Sequence, residues 1–291
     1  MAAIFNNIRR FFKQKDILSK LIIINVLVFV LIRLIEVFLT LFKIEATAFM
    51  TCFQLPGAIP QLIKEPWTVI SYMFFHYDLL HILFNMLWLY WFGKIFLIFF
   101  NTKQLLGTYL LGGIAGACLF LLSFNIFPYF EDAVEYSRLM GASAAVMAVV
   151  FAASFYKKDF RIYLLFLGNI KIYYVALVSL AFDLLAITST NAGGHIAHIG
   201  GALFGVCYAI TYQRGNDLTK YLNKYLDKCV NLFKRKPTMK VTSHRRTSDY
   251  QYNDRKKQEN EAIDQILDKI KKSGYNSLSK DEKKRLFDVS K

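Results

Sequence analysis

The sequence predicts an all-α fold: a bundle of six transmembrane helices followed by a charged C-terminal tail that carries a short helical pair. Hydrophobic residues make up 55% of the 291 residues, above the roughly 45–50% of an ordinary soluble domain. They are concentrated in blocks between residues 18 and 213, while both ends of the chain are polar. Because about 20 apolar residues in a helix cross a bilayer core, the blocks predict one membrane domain.

Six apolar blocks are candidate spans. They cover about residues 17–39, 79–100, 104–124, 141–156, 171–188 and 196–212. A helix over the fourth block would cover only ~24 Å at 1.5 Å per residue, less than the ~30 Å of hydrocarbon. We therefore expect the backbone before this block to dip into the membrane, surrounded by protein or water. The long, half-apolar loop at 40–79 predicts a segment in the membrane interface.

Basic residues near the span ends predict the orientation. Arg9 and Arg10 precede the first span, Lys157 and Lys158 follow the fourth, and Arg214 follows the sixth. Cytoplasmic loops are enriched in Lys and Arg, so both termini are expected in the cytoplasm. We expect a multi-pass protein of the inner (cell) membrane, with membrane lipids as its surroundings.

The chain is expected to have four regions: a basic cytoplasmic N-terminus at 1–17, a membrane domain at 18–213, a flexible basic linker at 214–258 and a two-helix appendage at 259–291. Residues 214–291 hold 21 Lys and Arg against 11 Asp and Glu. This excess flanks membrane spans, so we attribute it to topology and anionic lipid and expect no nucleic-acid partner. The spacing of Ile263, Ile266 and Ile270 predicts a helix, and Ser279 with Glu282 predicts a capping box. The partner of this tail is left open.

Polar side chains stand at the start of three spans. The second, fourth and sixth spans run in the same direction, so their first residues lie on one side of the membrane, expected to be the outer side. His81 and Asn85 begin the second span, Ser143 begins the fourth and His198 begins the sixth. Polar groups at membrane depth are costly and often functional. The topology therefore predicts that they converge.

Ser143 and His198 are the candidate nucleophile and base. Ser143 follows Gly141 at a helix N-terminus, where free backbone N–H groups can stabilise an oxyanion. A serine needs a base, and the face of His198 continues through Gly201 and Gly205, which permit close helix packing. The alternatives are a small-residue packing face around the serine and a histidine bonded across helices for packing alone.

His81 and Asn85 are four residues apart and share a helix face. Both can donate hydrogen bonds, as an oxyanion hole requires; the alternative is a polar clamp between helices. His76 lies five residues upstream and is expected to join this group. Only Asp78 and Asp183 are carboxylates in comparable positions, so the sequence favours a Ser–His dyad over a triad.

A metal protein is the chemical alternative. His195 and His198 are three residues apart on one predicted helix, as metal ligands can be. The sequence has no His-Glu-x-x-His run and no intramembrane cluster of carboxylates. We therefore expect no metal and no cofactor.

Three motifs in order carry a resemblance to a known family. The run from His76 to Asn85, the run Gly141-Ala142-Ser143, and the run from Ala197 to Gly201 with Gly205 beyond it resemble the rhomboid family of intramembrane serine proteases. The resemblance covers about residues 20–212. Residues 263–287 also resemble a tail found on rhomboid-like proteins of Bacteroidetes-type bacteria.

The resemblance implies roles for these residues. Ser143 would be the nucleophile and His198 the general base; His81, Asn85 and the backbone N–H of Ser143 would stabilise the oxyanion, with His76 supporting them. The implied substrates are single-span or multi-span membrane proteins, cut within or beside a transmembrane helix without a cofactor.

Three positions depart from the family pattern. Ala144 stands where many members have glycine, and Thr68 stands where arginine is frequent. Met147 stands where many bacterial members have an aromatic side chain that stacks against the catalytic histidine. None of them removes a catalytic group. Rhomboid-like proteins that only bind client helices typically lack the serine or the histidine, whereas this chain has both.

Overall fold

Six apolar helices form the membrane unit. The computed structural model describes residues 16–164, 168–233 and 247–289, so most of the basic N-terminus lies outside the described residues. The longer described helices of this unit are α1 (Ile17–Leu41), α2 (Leu79–Phe99), α3 (Thr102–Ile126), α4 (Ser143–Tyr156), α5 (Ile172–Leu185), α6 (Ala192–Gln213) and the more polar α7 (Lys220–Phe233). The predicted all-α membrane bundle is confirmed.

Four of the described helices, α1, α2, α3 and α6, are long and apolar enough to cross a membrane. The other two of the six apolar helices, α4 and α5, are shorter, with 14 residues each. Helix α4 covers about 21 Å, and every residue from Ala144 to Ser154 is buried. Protein therefore surrounds this short helix.

Glycines hold α3, α4 and α6 at backbone contact. A Cβ atom built on Gly201 of α6 would overlap the carbonyl oxygen of Ala144 on α4, and one on Gly205 would lie 2.5 Å from the carbonyl oxygen of Ala148. On α3, a Cβ on Gly116 would lie 2.6 Å from Cβ of Ala144. Any larger side chain would separate the helices. The predicted packing role of Gly201 and Gly205 agrees with this geometry.

The loop between α1 and α2 is built from short turns. It contains helical segments at Thr47–Thr51, Ile59–Lys64 and Thr68–Ser71 and a 3-10 turn at Tyr72–Phe74. Its strand β1 (Leu55–Pro56) pairs antiparallel with β2 (Arg138–Leu139), which lies just before α4. The loop is thereby joined to the segment that leads into α4.

Strands β3 (Arg161–Leu164) and β4 (Gly168–Lys171) pair antiparallel between α4 and α5. One segment differs from the expectation. Helix α7 and the start of the next helix fall within 214–258, which was expected to be a flexible linker. The high charge of that stretch favoured a linker, although Leu222, Leu226 and Cys229 recur about one helical turn apart, as in an amphipathic helix.

The second unit contains α8 (Thr247–Ser273), a 3-10 turn at Tyr275–Ser277 and α9 (Lys280–Val289). Helix α8 begins twelve residues before the expected boundary at 259. Among the described residues of the second unit, Ile266 and Leu278 are apolar and buried. The predicted capping box is present, because the backbone N–H of Ser279 donates to Glu282 at 2.7 Å and the backbone N–H of Glu282 donates to Oγ of Ser279 at 3.3 Å.

Candidate active site

The start of α2 presents two of the predicted residues. Asp78 caps the helix by accepting a hydrogen bond from the backbone N–H of His81 at 2.9 Å, which fixes the first turn. Nδ2 of Asn85, one turn later, donates to the carbonyl oxygen of His81 at 3.0 Å. That bond uses one of the two N–H groups of the amide. The second remains for another acceptor.

A glycine turn leads into α4. Gly141 has φ +113°, a conformation that L side chains rarely adopt, and a Cβ there would lie 2.7 Å from Cε1 of His81. The backbone N–H of Gly141 donates to the carbonyl oxygen of Tyr72 at 2.9 Å. Glycine is therefore required twice, for its backbone conformation and for the close approach of the imidazole.

His76 supports the same turn from behind. It is fully buried, and its Nε2 accepts a hydrogen bond from the backbone N–H of Ala142 at 3.2 Å. Its ring lies edge-on to that of His81, with centroids 5.2 Å apart. His76 thus contacts both the turn before Ser143 and the first turn of α2.

Ser143 is the first residue of α4. The backbone N–H groups of the first turn of a helix have no carbonyl acceptor within it. Among the described residues, Oγ of Ser143 makes no hydrogen bond, and none joins it to His198. The side chain is exposed to a cavity rather than bonded for packing.

His198 lies in the second turn of α6, beside a carboxylate of α5. Its Nδ1 is 2.8 Å from Oδ1 of Asp183. Nδ1 of His195 is also 2.8 Å from the same oxygen. The carboxylate is 6% exposed. The three ligand atoms lie within 4.8 Å of one another, which also adds a third group to the metal alternative.

One cavity of about 590 Å³ joins these groups. Its lining includes His81, Asn85, Ser143, Met147 and His198. The predicted convergence of α2, α4 and α6 is therefore found, with the four proposed catalytic side chains around one space. Trp88, Val146 and Phe182 add apolar walls.

Arg138 ties the loop after α1 to the approach to α4. It pairs with Glu65 at 3.1 Å and donates to the carbonyl oxygen of Thr51 at 3.0 Å. Nε1 of Trp67 donates to the carbonyl oxygen of Cys52 at 2.8 Å. Thr68 is fully buried and donates to the carbonyl oxygen of Glu65 at 2.6 Å. Arg138 thus connects the loop after α1 to the segment that leads into α4.

Sequence reasoning noted Asp183 but gave it no role. A signal was available, because an ionisable residue inside an apolar span needs a partner. Helices α5 and α6 are joined by a short connection from Ala186 to Asn191. The end of α5 therefore lies beside the start of α6, where His195 and His198 stand.

Comparison with known proteins agrees with this architecture. The Rhomboid domain family matches residues 64–215, just over half of the chain. The chain belongs to the rhomboid family. Residues 246–291 match a separate family of unknown function (DUF6576), which corresponds closely to the second unit of the structure.

A curated rhomboid relative is similar over part of its length. The chain is 31% identical over 144 residues to RHOMBOID-like protein 12, mitochondrial, of Arabidopsis thaliana. The aligned region is 46% of this rhomboid and 43% of the plant protein. The chain thus matches less than half the length of that relative.

Proposed function

We propose that this rhomboid is an intramembrane serine endopeptidase that cleaves transmembrane segments of membrane proteins. The observation that supports it best is that Ser143 and His198 line one cavity from two helices in backbone contact through Gly201 and Ala144. Such contact leaves the two helices little freedom to move relative to each other. This rigid contact supports a role of Ser143 and His198 as a catalytic pair.

Acyl transfer would proceed in two steps. Oγ of Ser143 attacks the substrate carbonyl carbon while Nε2 of His198 accepts the hydroxyl proton. The carbon–nitrogen bond then breaks, and His198 gives that proton to the leaving amine. Water attacks the acyl-enzyme with the same base, which releases the acid and restores the serine hydroxyl.

The oxyanion would be stabilised at the N-terminus of α4. The backbone N–H of Ser143 is one of the unpaired donors of the first turn, and α4 directs its positive dipole end toward the cavity. The imidazole of His81 and the second N–H of Asn85 add side-chain donors. All of them lie around the cavity that the substrate carbonyl would enter.

The cavity is proposed to open to the outer side of the inner membrane, with both termini in the cytoplasm. This orientation follows from Lys157 and Lys158 at the opposite end of α4 from Ser143. The substrates would be single-span or multi-span membrane proteins. A cysteine at position 143 is expected to react with membrane-impermeant thiol reagents added from outside; protection would overturn this orientation.

Cleavage of a single-span reporter by the full-length protein in liposomes tests the function. We expect Ser143→Ala and His198→Ala to abolish cleavage. Ser154→Ala is the matched control, because it removes a buried hydroxyl from the far end of the same helix. Cleavage that persists without Ser143 would overturn the proposal, and failure on several unrelated reporters would favour a rhomboid-like binder of client helices.

A further inference from the structure

Asp183 makes an unusual double contact. One of its oxygens, Oδ1, lies 2.8 Å from Nδ1 of His198 and 2.8 Å from Nδ1 of His195. The carboxylate is one of only three buried residues of α5, with Ile172 and Ala176. The rest of this helix is at least partly exposed. The contact with α6 is therefore a specific polar link on a sparsely packed helix.

The contact defines how His198 is protonated. A carboxylate can only accept hydrogen bonds, so a neutral imidazole beside it must donate from Nδ1. That places the proton on Nδ1 and leaves Nε2 with a free lone pair. A general base needs such a nitrogen to accept the proton of the serine.

The contact also limits the rotation of the ring. Met147 lies one turn after Ser143 and lines the same cavity. Its flexible thioether chain offers no planar surface against which an imidazole could be held. Asp183 supplies a restraint through its contact with Nδ1 of the ring, and His195 contacts the same oxygen.

We propose that Asp183 is a positioning residue for His198, so that Asp183 joins Ser143 and His198 as the third member of a triad in place of a dyad. This inference rests on the proposed protease function. Asp183 orients the ring and selects the Nδ1–H tautomer. When His198 accepts the proton from Ser143, the carboxylate stabilises the imidazolium that forms.

Kinetics of variants in liposomes test this role. We expect Asp183→Asn to lower kcat by about 100-fold or more, within the range that a general base contributes, with KM changed by less than about threefold because Asp183 acts through His198. Asp183→Glu keeps the charge and is expected to retain more activity than Asp183→Asn. Asp159→Asn is the matched control, because that carboxylate is exposed, pairs with Lys171 and is not among the described residues that line the cavity.

Nitrogen NMR of histidine-labelled wild-type protein gives a readout that needs no active variant. The signal that His198→Gln removes is expected to show a proton on Nδ1 and none on Nε2. Asp183→Asn is expected to change this pattern, since the amide can donate to the ring. Observation of the proton on Nε2 in the wild type would overturn the inference.

Three outcomes separate the possibilities. If the wild type cleaves and Ser143→Ala does not, but Asp183→Asn keeps kcat within about threefold of the wild type, the positioning role fails alone. If a chelator abolishes wild-type cleavage and zinc restores it, Asp183, His195 and His198 bind a metal and the inference is overturned. If Ser143→Ala cleaves as well as the wild type, the protease function fails, while the NMR measurement still decides the tautomer.

Discussion

The backbone N–H of Ala142 donates a hydrogen bond to Nε2 of His76 across 3.2 Å. The donor lies one residue before Ser143, and the acceptor lies in the segment before α2. The bond therefore joins the two chain segments that would carry the nucleophile and the oxyanion donors. Because Nε2 accepts, the neutral ring carries its proton on Nδ1.

Loss of this acceptor should disturb the turn before the serine. We expect His76→Ala to lower kcat/KM at least about tenfold, which corresponds to roughly 1.4 kcal/mol, and to lower the unfolding temperature because the side chain is fully buried. His76→Gln offers a side-chain carbonyl to the same N–H and should retain more activity. Reporter cleavage and thermal unfolding measure both effects; a fully active, equally stable His76→Ala would contradict the role.

Gly141 should be sensitive to a single methyl group. We expect Gly141→Ala to lose cleavage, since the new Cβ would lie 2.7 Å from the ring of His81 and the residue has φ +113°. Gly215→Ala is the matched control, because Gly215 has φ +85° and a Cβ there would meet nothing within 4 Å. If the two variants lost equal cleavage activity, the effect would be due to backbone strain and not to the clash with His81.

The contact between α4 and α6 should depend on Gly201. We expect Gly201→Ala to reduce the free energy of unfolding by about 1–3 kcal/mol, as overpacking does, and to reduce cleavage by separating Ser143 from His198. Cys207→Leu enlarges an exposed side chain of the same helix and should change neither. Unfolding in mild detergent and reporter cleavage provide the measurements. An unchanged Gly201→Ala would show that the helices can separate without cost.

The capping box of the second unit should weaken in acid. The pKa of the Glu282 carboxyl is held below its usual value because the backbone N–H of Ser279 and then Nζ of Lys269 donate to it. Because this pKa is lower in the folded state, the stabilisation from the Glu282 carboxylate is fully present above the unfolded-state pKa. It is lost as the pH falls through the folded-state pKa. We expect the helical signal of α9 to melt earlier in acid, as the carboxylate of Glu282 becomes protonated at its lowered pKa, and Glu282→Gln to remove this dependence. An identical acid response in the variant would refute the assignment.

The sequence predicted the membrane fold because the apolar blocks are long and their polar breaks are clear. It also predicted the convergence of His81, Ser143 and His198, since three parallel spans must begin on one side. The link from Asp183 to His198 could not be derived in the same way. It depends on how far α5 extends and how it turns into α6, and the predicted end of that span at 188 lay three residues beyond the observed Leu185.

Helix α7 shows the other limit of the sequence. Its charge suggested a solvated linker, yet a charged helix can be stable when one face packs against the bundle. Lys103, at the start of α3, pairs with Asp227 of α7 at 2.6 Å. Such a contact joins residues far apart in the chain, and local periodicity contains no information about it.

The enclosure of α4 has a consequence for lipid dependence. Bilayers thicker or thinner than a protein's hydrophobic width distort the helices that touch acyl chains. Helix α4 is buried from Ala144 to Ser154, so this mismatch acts on exposed helices such as α1 before it reaches the serine. We expect the turnover of bound substrate to vary less with acyl-chain length than the thermal stability of the protein does. The membrane would then control how well this rhomboid stays folded more than how fast it cuts.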